Sequence, residues 1–478
     1  MRVDKILFLP SLAKGLVTVK TLVRSLYPPQ MLYGDKMKDS CKIEFCVKEK
    51  TTGQVVGKKV IEGEVKRDNR TYFETSISLD NPKAWTPDSP FLYEGEVSVY
   101  DQDELVDRYS VNFGMRDFSR KGKFFTLNGD KFYLRGSNIT LQRFFEDPDC
   151  QALAWDREWV KKLMIDLPKS IDWNAMRICV GIVPDFWYDL CDEYGIVLQN
   201  EWLYWQNHGW DEQVRKEYTN WVWSDGNHPS IVIWDAINEN WVGFSSILDA
   251  GVPQLVNEYG WIWLWRDGRP SKLTLNNYNY YLGENATPAQ CRELQAYWLQ
   301  LETEWLRSER SVGGILAFCH LTNNYGFTGD WFINDIKDLQ PSPAFRWFKH
   351  CFAPTAVFID LTDHRYTKHL PALKPGSDLV FNLVGVNDLN KDSSGKVLLK
   401  LLDEKGTIIS TQEESIVIEP FGKRLQPCLL KLPSKAGGYL LIAEYHEKGG
   451  AKPVLSRRYL KVGDAVTSFK DYFEYTLN

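Results

Sequence analysis

Short segments of alternating apolar and polar residues fill positions 22–118: CKIEFCVK, TYFETSIS, FLYEGEVSVY and LVDRYSVNF, with Gly, Asn, Asp and Pro clusters between them. A period of two puts every second side chain on one face, and turn residues at this spacing predict a β-sandwich. From residue 119 the pattern changes. The runs KFYLRGSN, NAMRICVG, IVLQNEW, SIVIWDAINE, LVNEYGW and GGILAFCHL alternate with helical patterns over Trp155–Leu167, 184–195, Asp211–Ser224, Ala289–Arg310 and Pro343–Cys351. Apolar strands alternating with helices predict a parallel sheet buried on both faces, here a TIM-type βα barrel of about six βα units running to residue 353. Alternation returns in LVFNLVGVND, KVLLKLLDE, QPCLLKLP, GYLLIAEY and LSRRYLKVG, which predicts a second sandwich within 354–478. Residues 1–21 receive no assignment. The expected fold is multidomain, α/β plus all-β, with an incomplete βα barrel flanked by two β-sandwiches.

Several of the parallel strands end in polar residues: Arg135 and Asn138, Arg177, Glu201, Asn238 and Glu239, Asn257 and Glu258. The C-terminal strand ends of a βα barrel form its active face, so a carboxylate closing an apolar strand points into the mouth. A lone Glu there reads as an ordinary strand-end charge meeting solvent. Two Asn–Glu pairs, each closing an apolar run, read instead as the paired carboxylates of retaining glycoside hydrolysis. One protonates the leaving oxygen and the other attacks the anomeric carbon, from roughly 5–5.5 Å apart.

Composition strengthens the carbohydrate reading. The chain holds 19 Trp, 23 Tyr and 24 Phe, 14% of its 478 residues. Trp85 falls in the first sandwich and every other Trp falls in the barrel region. Large rings with a polar edge suit flat, part-apolar ligands such as sugars. Trp205, Trp261, Trp263 and Trp331 are therefore candidate sugar platforms, with core packing as the competing role for each.

Other chemistry is disfavoured. Lys plus Arg number 57 and Asp plus Glu 63, a net charge of −6, which argues against nucleic acid as a partner. No run approaches the ~18 apolar residues of a membrane span. Nine Cys form no CxxC pair and seven His form no ligand cluster, so neither a metal site nor a disulfide framework is expected, and no cofactor. The apolar run Ile6–Leu9, stopped by Pro10, is too short for a signal peptide. The compartment is cytoplasmic if the N-terminus is complete, and periplasmic or secreted if it is truncated.

At these residues the chain resembles glycoside hydrolase family 2, the group of β-galactosidase, β-mannosidase and β-glucuronidase. GNHPSIVIWDAINE resembles that family's fourth-strand motif, which carries the acid/base over to Glu239 and its partner Asn to Asn238. LVNEYGW resembles the seventh-strand motif, which places the nucleophile on Glu258 with Tyr259 and Gly260 following. LNGDKFYLRGSN, with Arg135 and Asn138, resembles the first strand; NAMRI, with Arg177, the second; and FWYDLCDEYGIVLQNEW the helix and third strand. AWTPDSPFLY through FGMRDF resembles the immunoglobulin-like domain before the barrel. The resemblance covers roughly residues 22–355. It implies a retaining exo-β-glycosidase without cofactor, acting on a carbohydrate substrate, with a homo-oligomer compatible. In that mechanism Asn238 would hydrogen-bond a sugar 2-hydroxyl, Arg177 would keep Glu258 ionised, and Trp234 and Trp241 would favour neutral Glu239 by desolvation.

The sequence also departs from the family. Glu239 and Glu258 are 19 residues apart, whereas the fourth and seventh strand ends of a barrel with ~30 residues per unit should lie about 90 apart. The fifth and sixth strands have no counterpart, nor has the Tyr expected near the nucleophile. The chain is then either internally deleted, the favoured case, or a sheet closing with six strands. The second strand continues ICVGIVP without the family's His-containing run, Ala317 stands where many members place a Trp, and no N-terminal jelly roll precedes residue 22. The alternatives are a catalytically impaired carbohydrate-binding or scaffold protein, and an inverting hydrolase with carboxylates roughly 6.5–9.5 Å apart.

Overall fold

The computed structural model describes residues 1–25, 38–67, 69–206, 209–239, 251–367, 369–450 and 452–464. The chain divides into two compact units. One is Met1–Lys121 with Phe125–Asp130 and Asn174–Ala250; the other is Gly122–Phe124 with Lys131–Trp173 and Gly251–Asn478.

The first unit holds an antiparallel sheet in the order Val55–Lys66, Lys38–Glu49, Tyr93–Asp101, Glu104–Phe113. A second sheet pairs Arg2–Ser11, Leu16–Arg24 and Arg70–Ser78. Two of these strands come from the segment left unassigned by its pattern. Arg2–Ser11 lacks regular alternation because Ile6, Leu7 and Phe8 are all buried, Leu7 lying close to Gly226 at the end of the helix Asp211–Asp225, and because its register shifts between Val3 and Lys5. The strand is integral to the core: Phe8 stacks on Phe113 at 5.1 Å, and a Cβ on Gly95 would lie 2.5 Å from the Phe8 ring. Val17, Val19, Ile43, Phe45 and Val97 are wholly buried around it.

Three parallel strands follow in the same unit, Ala175–Ile178, Val197–Glu201 and Ile231–Asp235, each paired with the next. The helix Asp185–Tyr194 between the first two stops at Gly195, whose φ of 75° is open to glycine and whose Cβ would strike the Pro87 carbonyl at 2.2 Å. Hydrogen bonds tie the sandwich to this segment. Trp85 Nε1 donates to the Asp192 carbonyl at 2.9 Å, and Arg116 donates to the carbonyls of Pro229 and Ile231, each at 2.5 Å. The Asn227 side chain accepts from Phe8 N at 2.9 Å and donates to the Ile6 carbonyl at 3.0 Å.

The second unit contains three more parallel strands, ordered Leu255–Val256, Gly314–Leu321, Leu134–Ile139. The six described parallel strands match the six βα units read from the pattern. The long helix Pro288–Glu309 starts at a capping box in which Thr287 and Gln290 bond reciprocally. The helix expected over Trp155–Leu167 is instead Arg157–Lys161, a π-type turn Lys162–Asp166 and Leu167–Ser170. Pro168 has no N–H to continue the ladder, and its ring crowds the preceding turn. The final sandwich pairs Thr355–Asp360, Asp378–Asn387 and Lys423–Lys431 in one sheet. The other sheet is Ile408–Ile418, Ser393–Leu402, Gly437–Glu447 and Val454–Val462.

One buried carboxylate joins these parts. Asp388, just after Asp378–Asn387, accepts from Arg135 at 3.0 Å and Arg307 at 2.8 Å, and pairs with Arg310. Burial pushes its carboxyl up, but the three guanidinium groups outweigh this and hold it at about 2. This location corrects the expectation for Arg135. The strand begins at Leu134, so Arg135 lies at its N-terminal end, opposite the strand end where substrate contact was expected, and serves the Asp388 cluster.

Asp388→Asn should lower stability by about 3–5 kcal/mol, because it leaves three buried cations without their counter-charge. A carboxyl held below its unfolded value stabilises above the unfolded pKa and loses that contribution as pH falls through the folded one. Wild type should therefore lose about 2 kcal/mol between roughly pH 4 and pH 2. Thermal unfolding across that window should show an acid-sensitive limb that D388N lacks; superimposable limbs would refute the assignment.

Candidate active site

The residues expected to act on substrate fall into two sets, one in each unit. In the first unit, register places Arg177 on the strand Ala175–Ile178 and Glu201 at the end of Val197–Glu201. Arg177 Nε donates to Glu201 Oε2 at 2.6 Å, and Nη2 lies 2.5 Å from the same oxygen. Nη2 also donates to Asn238 Oδ1 at 3.0 Å, which turns the Asn238 Nδ2 donors away from the arginine. Glu201 Oε1 accepts from Val180 N at 2.8 Å. Burial pushes the Glu201 carboxyl up to about 7, with Arg177 pulling it down and Asp235 pushing it further up.

Glu239 stands just beyond Asn238 with φ of 52°, a left-handed conformation uncommon for a side chain of this size. Its backbone neighbour is fixed by a short bridge: Asn238 N donates to the Tyr204 carbonyl at 2.9 Å, and Gln206 N to the Asn238 carbonyl at 2.8 Å. Its carboxylate accepts from Trp205 Nε1 at 2.8 Å and Gln206 Nε2 at 3.4 Å. Trp205 thus lies beside Glu239, with half its surface open to solvent (51%). Of the surround expected for Glu239, Trp234 is exposed, as is Glu239 itself, and Trp241 lies outside the described residues.

In the second unit, Glu258 is half-buried two residues beyond the strand Leu255–Val256. Asn138 is wholly buried and holds the chain just before it. Its Nδ2 donates to the carbonyls of Asn257 at 2.8 Å, Ala317 at 3.0 Å and Leu316 at 3.3 Å. Asn138 is thus a brace for the Glu258 segment, since its donors are taken by main-chain oxygens. Tyr259 points inward, its hydroxyl 2.7 Å from Thr303 Oγ1 on the long helix, so its ring belongs to packing. Gly260 has φ of 79°, and a Cβ there would meet Leu299 at 2.5 Å.

The platform assignments divide. Trp261 is exposed (60%) beside Trp263, which is buried and donates to the Phe318 carbonyl at 2.9 Å. Trp331 is a core residue, 1% exposed and packed edge-on against Phe348 at 4.8 Å and Trp173 at 6.0 Å, which corrects its assignment to substrate. Glu201 and Gln206 were given no role from sequence. Glu201 was visible as a strand-end carboxylate, whereas Gln206 carried no signal in its loop. Among the described residues, Asp189, Asp192 and His228 are grouped closely enough to offer metal ligands. Asp192 is engaged there with His228 Nδ1 at 2.6 Å and Ser230 N at 3.0 Å, a hydrogen-bonded brace.

The sequence profile described as "Glycosyl hydrolases family 2" matches residues 30–116, and that of "Glycosyl hydrolases family 2, TIM barrel domain" matches 119–250. Glu239 lies inside the matched range and Glu258 beyond it. The chain is 30% identical over 211 residues to a β-galactosidase of Alteromonas mediterranea, covering 41% of this chain and 19% of that protein. It is 32% identical over 171 residues to a β-galactosidase of Thermoanaerobacter pseudethanolicus, covering 34% and 22%. The chain therefore spans under a quarter of the length of these relatives. Its fold is similar to that of the β-D-mannosidase of Dictyoglomus thermophilum, with TM-score 0.68 and 15% identity over 96% of this chain and 66% of that one. The exo-chitosanase of Amycolatopsis orientalis gives TM-score 0.66 and 14% identity, covering 95% and 63%. Over residues 30–116 and 119–250, its first sandwich and the barrel segment that follows, the chain is similar to glycosyl hydrolase family 2.

Proposed function

We propose that the protein is a retaining exo-β-glycosidase that removes a terminal sugar through a covalent glycosyl-enzyme, with Glu258 as nucleophile and Glu239 as acid/base. The observation that carries this reading is that each Asn–Glu pair follows a parallel strand and is held by its own polar brace. Arg177 grips Asn238, Trp205 grips the Glu239 carboxylate, and Asn138 grips the main chain at Asn257. Bracing of this kind holds reacting groups near productive geometry without reorganisation at the moment of reaction.

In the first half-reaction a Glu258 oxygen forms a bond to the anomeric carbon as the glycosidic C–O bond breaks, and the leaving oxygen takes its proton from Glu239. In the second, water gives a proton to Glu239 and attacks the anomeric carbon, and the bond to Glu258 breaks. The Asn238 Nδ2 donors suit a hydrogen bond to the sugar 2-hydroxyl, a contact that strengthens in the transition state. β-Galactosides and β-mannosides are the first substrates to test, from the printed names of the relatives. The spacing of 19 residues favours a second reading, a saccharide-binding or scaffold protein without turnover.

A 2-fluoro glycosyl inactivator of the hydrolysed sugar should label Glu258 in peptide mass mapping, and E258A should lower kcat at least a thousandfold. Labelling of another carboxylate would remove the nucleophile assignment, and no turnover or labelling across a sugar panel would favour the scaffold reading. Glu239→Gln should slow alkyl glycosides by about 10²–10⁴-fold. It should slow aryl glycosides with acidic leaving groups far less, because those depart without protonation. Equal losses on both substrate types would count against Glu239 as the acid.

A further inference from the structure

A groove of about 430 Å³ runs along the second unit between the long helix Pro288–Glu309 and the last sandwich. That volume lies within the ~300–1,000 Å³ typical of small-molecule sites. The helix separates this groove from the Glu258 segment. Leu299 and Thr303 face Gly260 and Tyr259, whereas Trp298, Leu301, Trp305 and Ser308 line the groove. At 100° per residue those two sets occupy opposite sides of the helix.

The lining has the chemistry of a ligand site. Trp298 and Trp305 stand seven residues apart on one face, and Trp305 is 62% exposed. The Trp298 indole N–H is buried with no hydrogen-bond acceptor. The floor is a buried ion pair, Glu304 with Arg458 at 2.8 Å. The rim carries exposed Asp360 and Glu309 as acceptors and Lys423 as a donor. Flat apolar rings flanked by both acceptors and donors match a ligand with C–H faces and hydroxyl edges. A purely apolar ligand would leave the rim groups unused, and an anion would face two carboxylates.

We propose that this groove is a second carbohydrate site, holding one pyranose unit of a saccharide chain on Trp305 apart from the place of hydrolysis. The proposal rests on the reading that the protein handles saccharides. The test is titration calorimetry of the full chain carrying E239Q and E258Q, with β-1,4-mannotriose, β-1,4-galactotriose and the β-1,4-glucosamine trimer as probes. At least one probe should bind. Adding Trp305→Ala, at an exposed position that should leave the unfolding temperature unchanged, should weaken binding about tenfold. Asp360→Asn should weaken it less. Binding that W305A leaves unaltered, or no binding by any probe, overturns the proposal. Self-association that W305A abolishes would assign the face to a second copy of the chain and overturn it too. Absence of turnover in wild type with W305-dependent binding intact would sink the hydrolase reading and leave this one standing.

Discussion

Three guanidinium groups converge on one carboxylate, and the second unit is organised by that excess of positive charge. Asp388 leaves the last sandwich, Arg135 opens a parallel strand, Arg307 closes the long helix and Arg310 follows it. Buried ions are tolerated only when paired and hydrogen-bonded, so each arginine also finds a carbonyl: Asp172, Cys351 and Asn387 respectively. The cluster fixes where the strand and helix start and stop relative to the sandwich. Both elements then act on Glu258 at one remove, through Asn138 on the strand and through Leu299 and Thr303 on the helix. The N-terminal end of the strand supplies rigidity and its C-terminal end supplies placement.

The two glutamates are held in different ways. Glu258 follows a chain whose carbonyl is pinned by a buried amide, and the residue itself is half-buried. Glu239 is exposed and sits in a left-handed conformation, with its carboxylate gripped by an indole and an amide. Strained backbone at such a position persists only where surrounding bonds over-determine it, and the bridge between Tyr204–Gln206 and Asn238 supplies them. The contrast suits the roles proposed: a nucleophile needs fixed distance, and an acid/base needs access to leaving group and water.

Much of this was legible in the sequence for a physical reason. The helix Pro288–Glu309 announces itself through Thr287, Pro288 and Gln290, which satisfy the orphan donors of its first turn. The Asn–Glu pairs stood out because a charge closing an apolar strand has few other places to go. Arg135 misled because KFYLRGSN is continuous as text, while the ladder restarts at Leu134. Trp331 misled because burial of a loop aromatic depends on partners distant in the chain, here Trp173 and Phe348. The helix Leu275–Leu282 was missed because LNNYNYYL is rich in Asn, a residue that competes with helix through its own side chain. Asp388 has no local signature at all, since its meaning lies in three arginines that only the fold collects.

The strand Arg2–Ser11 has a consequence for how the family boundary is understood. Similarity to the family's first domain starts at residue 30, yet the apolar interior of that sandwich starts at Val3. Phe113 and Gly95 pack against Phe8, and Asn227 bonds the same strand through both ends of its amide. The matched range and the folded interior therefore begin at different points along the polypeptide. A chain trimmed to the matched range would carry the recognisable motifs and still be unable to close its own interior.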